Sequence, residues 1–242
     1  MSSAVETAPI ESPSRSIQIS AVITTYNSGA LLEEALESVL AQTRQPDEIL
    51  VIDDGSTDDT AERIKRFGDR IRYHWQENGG TSQVRNLASR MVRFPWIAFL
   101  DADDLWLPER LEVQEAWLRD HPDCEAVFGQ MRNFAHPGME SQYDVRMHHL
   151  DQWLPGWCPS TMLIRRETLV RSGGFDEGMR NAEMVEWFIR IREAGVNLQM
   201  IDVPLARRRL HGANKGLQSK GQKTDLRLLR DFIARKRAAA KV

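Results

Sequence analysis

An α/β fold with a mostly parallel sheet flanked by helices, in a single domain, is what this sequence predicts. Two observations carry that expectation. Apolar strand-like runs alternate with helix-like segments through the first half of the chain, the pattern of a sheet covered on both faces. Polar clusters fall at the ends of three of those runs, at 24–27, 53–54 and 101–104, and the carboxyl ends of strands are where such sheets take ligands. The length, 242 residues, suits one large domain with a real core and is short for two.

Taken in order, residues 17–28 read as a buried strand ending in a polar turn. Residues 29–42 read as a helix, because Leu32, Leu36, Val39 and Leu40 fall on one stripe. Residues 47–60 give a short apolar strand, then Asp53 and Asp54, then a Gly-Ser turn. Thr57 or Asp58 is placed to cap the next helix, which runs to about residue 67. A third strand is expected at 70–75 and a turn leading into a helix at 79–92. WIAFL, 96–100, is the fourth strand, and Pro108 suits the first turn of a helix ending near Arg119. The second half is less regular. Residues 155–177 suggest a strand, a short helix and a Gly-Gly turn. Residues 181–195 form a helix with Val185, Phe188 and Ile189 in its apolar stripe, and 196–212 a strand leading to His211. The remainder reads as a basic amphipathic helix with Leu226, Leu229 and Ile233 on one face.

These boundaries divide the chain into a disordered tail at 1–16, a domain at 17–214 and a basic extension at 215–242. The start lacks the long apolar core of a secretory signal, and no apolar run approaches a membrane span. Net charge is -3, unevenly spread: from Leu205 onward twelve Lys/Arg face two Asp, so residues 1–204 carry about -13. Two distant cysteines, Cys124 and Cys158, fit a reducing compartment and a cytoplasmic location; they argue against a disulfide framework or a zinc site. An acidic body and a tail without interleaved aromatics argue against nucleic acid. The absence of GxGxxG after the first strand argues against a dinucleotide oxidoreductase.

Asp101, Asp103 and Asp104 close the fourth strand. Clustered carboxylates repel unless a cation sits among them. Mn²⁺ or Mg²⁺ prefers oxygen ligands, and Mg²⁺ takes one or two carboxylates along with waters and phosphate oxygens. A D-x-D turn at a sheet rim therefore suits a divalent ion bridging a diphosphate. The plainer reading is an acidic helix N-terminus.

VITTYN, VIDDGSTDDT, NGGTSQVRN, FLDADD, GGFDE and RRLHGAN stand in that order. In this the chain resembles family 2 glycosyltransferases of the GT-A fold, Rossmann-like nucleotide-diphospho-sugar transferases, over residues 19–214. The resemblance implies transfer of a sugar from a nucleotide diphosphate sugar, UDP-linked by expectation, with inversion and a divalent metal. It implies that Thr24 and Tyr26 line the base pocket, that Asp54 accepts a base N–H, and that Arg85 contacts the nucleotide. Asp101 would reach the ribose and Asp103 the metal, with Asp104 the alternative ligand. His211 would approach the metal or diphosphate, beside Arg207, Arg208 and Arg209.

One position departs from the family's pattern. An acidic pair is expected after GGFDE, and its second member commonly serves as general base. Here Glu183 matches the first acid, and Met184 stands in place of the second. Glu183 and Glu186, three residues apart on one helix face, are the candidate bases. The alternative is a nucleotide-sugar-binding protein with little or no turnover. The acceptor, whether glycan, lipid-linked sugar or peptide, is unspecified; Trp153 and Trp157 are candidates to touch it, and His148 and His149 read as surface residues. The basic C-terminal helix suits packing or a homodimer contact, or a peripheral contact with an anionic membrane.

Overall fold

A computed structural model describes residues 16–144, 148–179, 183–212 and 214. The expected disordered tail and the basic C-terminal helix lie outside these residues.

The chain alternates as expected through its first half: β1 (Ile19–Thr25), α1 (Gly29–Leu40), β2 (Glu48–Asp53), α2 (Thr60–Ile64), β3 (Arg72–Trp75), α3 (Thr81–Met91) and β4 (Trp96–Asp101). The short β5 (Leu105–Trp106), α4 (Arg110–Asp120) and β6 (Ala126–Ala135) follow. Then come β7 (Leu154–Pro155), β8 (Leu163–Arg165), α5 (Arg166–Arg171), α6 (Glu183–Glu193) and β9 (Leu198–Leu210). They build one sheet in the order β3-β2-β1-β4-β8-β6-β9-β5, with β7 added on β6. The pairs β3–β2, β2–β1 and β1–β4 are parallel. Beyond β4 the sheet is mixed: β8 is antiparallel to both β4 and β6, and β9 is parallel to β6.

Period-two alternation sorts the core onto two faces. Ala21, Ile23, Val51, Ala98 and Leu100 pack under α1 and α4, against Leu32, Leu36, Val39 and Leu111. Val22, Leu50, Ile52, Ile97 and Phe99 point the other way, against Val84 and Ala88 of α3, Leu169 of α5 and Trp187 and Ile191 of α6. Each buried Val, Leu, Ile or Phe among them contributes about 1.5–3 kcal/mol. Because both faces are covered, only the strand ends are left for chemistry.

Three local expectations need correction. The apolar stripe of α6 is Trp187 and Ile191, both buried, while Val185 is exposed. The helix is turned so that the Trp187 indole can pack on Phe175 and donate to Ser172 Oγ. α2 stops at Ile64 and tightens into a 3-10 segment, which Gly68 turns with a positive φ of 54°. Pro108 lies before α4 rather than in its first turn; Glu109 takes the cap position.

Sequence periodicity also misses β6. Its ladder with β9 slips between Phe128 and Met131, where β9 carries extra residues between Met200 and Ala206 opposite Gly129. A Cβ there would stand 2.4 Å from Leu205 Cδ1 and 2.8 Å from the Val203 carbonyl. Near β8, which is only three residues long, side chains complete the backbone bonding. Buried Arg110 donates to the carbonyls of Phe99 and Met162, and Gln114 donates to those of Val127 and Thr161.

Candidate functional site at the carboxyl rim of the sheet

Strand register puts the three polar clusters level. Thr24 pairs with Asp101 across β1–β4, and Thr25 pairs with Asp53 across β1–β2. The two acids after β2 then divide their work. Asp53 is fully buried; it accepts the Ser56 N–H and the Tyr73 hydroxyl and so fixes the turn. Asp54 accepts the N–H groups of Gly79 and Gly80 and the Gln76 amide. Its carboxylate thus sits at the N-terminus of α3, where the helix dipole favours an anion. Oδ1 already takes two of these bonds, so the spare lone pair is on Oδ2. Tyr26 is half exposed on the same rim. The cap position of α2 falls to Asp59, not to Thr57 or Asp58; Asp58, one residue earlier, accepts the Thr60 N–H.

A second group centres on Arg85. One terminal nitrogen reaches Asp101 Oδ1 at 2.8 Å and the other reaches Glu183 Oε1 at 3.1 Å. Thr24 Oγ1 donates to the same Asp101 oxygen at 3.3 Å. Arg85 is only 3% exposed, and its Nε has no partner among the described residues. Burial works against its charge, but Asp101 and Glu183 outweigh that and hold the guanidinium more firmly protonated than an ordinary arginine. Thr24, Asp101, Arg85 and Glu183 therefore form one continuous chain. Glu186 stands apart from it, closed on Arg190 in a two-pronged pair at 2.8 and 2.9 Å. Met184 is half-buried against the apolar core, as its lack of a polar atom requires.

The third group lies on the β5–β9 side. Asp103 Oδ2 is 3.0 Å from both His211 Nε2 and Asn214 Nδ2. Asp104 points inward instead. Its carboxyl takes the Arg209 N–H and the Ser160 hydroxyl. Burial, then the neighbouring Asp103 and Asp101, push its pKa well above the usual carboxylate range, partly offset by the Ser160 hydrogen bond. Ser160 Oγ also accepts the Asp101 N–H, so it ties the second group to the third. Arg209 is buried and committed to Glu34 and to the Asp103 carbonyl. Arg207 stacks on Phe134. The charge of Arg208 works against the rise in the Asp104 pKa.

The structure thus brings Thr24, Arg85, Asp101 and Glu183 together, sets Asp103 and His211 beside them, and leaves Glu186 outside. Sequence reasoning did not single out Ser160 or Asn214. Asn214 sits inside the RRLHGAN block; Ser160 carries no local signal, since its role depends on β4 and β5 being folded. The two glycines of GGFDE both have positive φ, 80° and 66°. Gly174 also lets Asn86 close on Phe175, whose N–H and carbonyl it bonds. Burial, then the charges of Asp104 and Asp101, push the Cys158 thiol up to about 12, which disfavours its thiolate.

The donor set fits a divalent ion of the Mg²⁺ or Mn²⁺ kind. Asp103 Oδ2 and His211 Nε2, hydrogen-bonded at 3.0 Å, are a carboxylate oxygen and an imidazole nitrogen, donor types that such an ion accepts. Among the described residues no three His, Cys, Asp or Glu side chains converge as a metal cluster. Such an ion would draw its other ligands from water and substrate.

A family model, Glycosyl transferase family 2, matches residues 20–173, which is more than half of the chain. The chain belongs to this family. Relatives include an uncharacterized glycosyltransferase of Rickettsia typhi, 36% identical over 192 residues, covering 74% of this chain and 60% of that protein. Glycosyltransferase GlyG of Streptococcus pneumoniae is 34% identical over 120 residues, covering 48% of this chain and 40% of that protein. The chain spans between 16% and 60% of the length of such curated relatives. Among solved structures, Staphylococcus aureus TarS 1-349 in complex with UDP-GlcNAc superposes with a TM-score of 0.64 at 20% identity, over 82% of this chain and 60% of that one. The mannosyltransferase PcManGT from Pyrobaculum calidifontis, in complex with GDP-Man and Mn²⁺, gives 0.61 at 22% identity, over 85% and 60%. At such identities the likeness shows the fold, and the fold is GT-A. Among the described residues no helix is long and apolar enough to cross a membrane.

Proposed function

We propose that this family 2 protein is a metal-dependent inverting glycosyltransferase that takes its sugar from a UDP-linked donor. The observation that carries the reading is the hydrogen-bonded chain Thr24–Asp101–Arg85–Glu183, lying beside Asp103 and His211 at one sheet rim. In this reading Tyr26 stacks on the base, and Thr24 lines its pocket. Asp54 accepts a base N–H with a spare lone pair. Asp101 takes the ribose, and Arg85 holds the nucleotide side of the site in place from beneath. Asp103 and His211 hold the metal, which when bound supplies positive charge to the departing diphosphate. Arg208 adds a second cation on that side.

Glu183 is the preferred base. It reaches the donor side of the rim through Arg85, whereas Glu186 is committed to Arg190. Its carboxylate would take the acceptor hydroxyl's proton as that oxygen attacks the anomeric carbon from the face opposite the diphosphate, which inverts the centre.

Met184 favours a second reading, a nucleotide-sugar-binding protein with weak or no transfer. A thioether offers no proton acceptor where the family pattern has an acid. One experiment separates the two. Thermal shifts are measured with UDP, GDP and their sugars, with and without Mn²⁺, and donor hydrolysis is followed by UDP release. A donor-specific shift with UDP release supports the transferase; a shift with no release under any condition supports the binding protein. No shift with any nucleotide sinks both.

A further inference from the structure

α6 leaves the Arg85 network at Glu183 and carries a second feature along its length. Met184, Phe188 and Arg192 recur every four residues and so share one helix face. Phe188 meets the exposed Trp157 edge-on at 5.3 Å, and Trp157 leans on Phe128 at 5.1 Å. Trp157, Phe188 and Arg192, with Asn197, Leu198 and Met200, line an open groove of ≈ 680 Å³. Its lining is near the candidate site in sequence at two points. Trp157 lies three residues before Ser160, which bonds Asp101 and Asp104. Phe188 lies one and a half turns from Glu183, about 7.5 Å of helix rise.

The groove's chemistry is selective. Its lining mixes Trp157, Phe188, Val196, Leu198 and Met200 with the polar Arg192, Asn197 and Gln199. Arg192 is exposed and has no carboxylate partner among the described residues, whereas Arg190 is closed on Glu186. Apolar walls with a few convergent polar groups make a ligand site. The flat, half-wet face of Trp157 suits the C–H face of a sugar ring. A guanidinium suits a carboxylate or a phosphate.

We propose that this groove is the acceptor subsite and that the acceptor is an anionic glycan, one ring stacking on Trp157 while a carboxylate or phosphate farther along meets Arg192. The proposal rests on the transferase reading. Charge complementarity selects the occupant: the chain's own segment after residue 214 is rich in Lys and Arg and would bring like charge to Arg192.

Calorimetric titration of the full chain tests it, with a uronic-acid tetrasaccharide, a phosphorylated tetrasaccharide, a neutral tetrasaccharide, inorganic phosphate and UDP. At least one anionic tetrasaccharide is expected to bind more tightly than the neutral one, and which one does so distinguishes carboxylate from phosphate. Arg192→Gln, a solvent-facing change, should weaken the anionic ligand about tenfold and leave the neutral one unchanged. Trp157→Leu should weaken both, and UDP should bind both variants as it binds the parent. Inorganic phosphate binding as tightly as the phosphorylated sugar would reduce the site to a plain anion site and overturn the proposal. So would no oligosaccharide binding, or no effect of Arg192→Gln, while UDP still binds. Failure of UDP itself to bind would overturn the underlying transferase reading.

Discussion

Asp103 Oδ2 and His211 Nε2 stand 3.0 Å apart although 108 residues separate them along the chain. The antiparallel pairing of Leu105 with Arg207 makes this happen, because it turns the end of β9 back toward the acidic turn after β4. Under the proposed function this pair is the metal edge of the site. Mn²⁺ should then raise the stabilisation that UDP gives, and chelation should remove the increment. A ligand at a hundred times its Kd stabilises by about 2.7 kcal/mol. Asp103→Ala should lose most of the Mn²⁺-dependent part, and His211→Ala a smaller share. Equal thermal shifts in parent and Asp103→Ala would remove Asp103 from the metal site.

Arg85 makes a different kind of contribution, because it is buried between two carboxylates. Removing one partner of a buried ionic group costs about 3–5 kcal/mol, since the others keep uncompensated charge. Arg85→Gln is expected to be destabilised on that scale in urea unfolding. Arg85→Lys keeps the charge but cannot fork to both acids, so it should fall between. A loss under about 1 kcal/mol for Arg85→Gln would mean that water already screens the cluster.

The assignment of the base to Glu183 is testable through its neighbours. Glu183→Gln should cut turnover by about 10²–10⁴-fold, the usual share of a general base, with UDP affinity nearly unchanged. Glu186→Gln should cost little turnover, because that acid serves Arg190. Met184→Asp should not raise the activity of the parent if Glu183 is the base. A gain in Met184→Asp, with Glu183→Gln still active, would hand the role to position 184.

How far the sequence disclosed this follows from which interactions are local. Thr24, Asp54 and Asp101 were legible because each ends an apolar run, and a parallel sheet brings such ends together. Arg85 was legible as a site residue, but its two carboxylate partners were not. Asp101 is 16 residues away and Glu183 is 98, so the triangle exists only after α3 and α6 have packed. Asp104 was grouped with Asp101 and Asp103; its burial against Ser160 comes from a loop with no periodicity to read. The stripe of α6 was misplaced because Trp187 and Val185 lie on different faces, and tertiary packing, not hydropathy alone, chose which to bury.

Gly129 illustrates the same limit in β6. Glycine inside an apolar run weakens a strand signal, yet here it is the residue that lets β6 and β9 close. Gly129→Ala would place a methyl against Leu205 and the Val203 carbonyl, and the carbonyl is backbone that cannot rotate away. The expected cost is about 1–3 kcal/mol, read as a lower urea midpoint with an unchanged slope. Trimming the other side with Leu205→Ala should not rescue it, because the contact with the carbonyl persists.

Glu48 gives the chain a pH dependence that can be assigned to one side chain. It is 3% exposed and accepts the Ser20 hydroxyl at 2.7 Å and the Arg93 N–H at 2.9 Å, while its other oxygen pairs with Arg72. Burial alone would raise its pKa, but the Arg93 N–H, the Ser20 hydroxyl and Arg72 together lower it below the usual carboxylate value. A carboxylate with a lower pKa folded than unfolded stabilises the fold above the unfolded value of about 4.3, and that stability is lost as pH falls through the folded value. Glu48→Gln should therefore be less stable than the parent by about 3 kcal/mol near neutral pH, the low end for breaking a buried pair. The gap should close on acidification, because the protonated parent comes to resemble the amide. Thermal unfolding of both proteins from about pH 7 down to about pH 3, on either side of the unfolded carboxylate value, measures it. A gap that stays constant over that range would assign the loss to altered packing around β2 and not to the charge of Glu48.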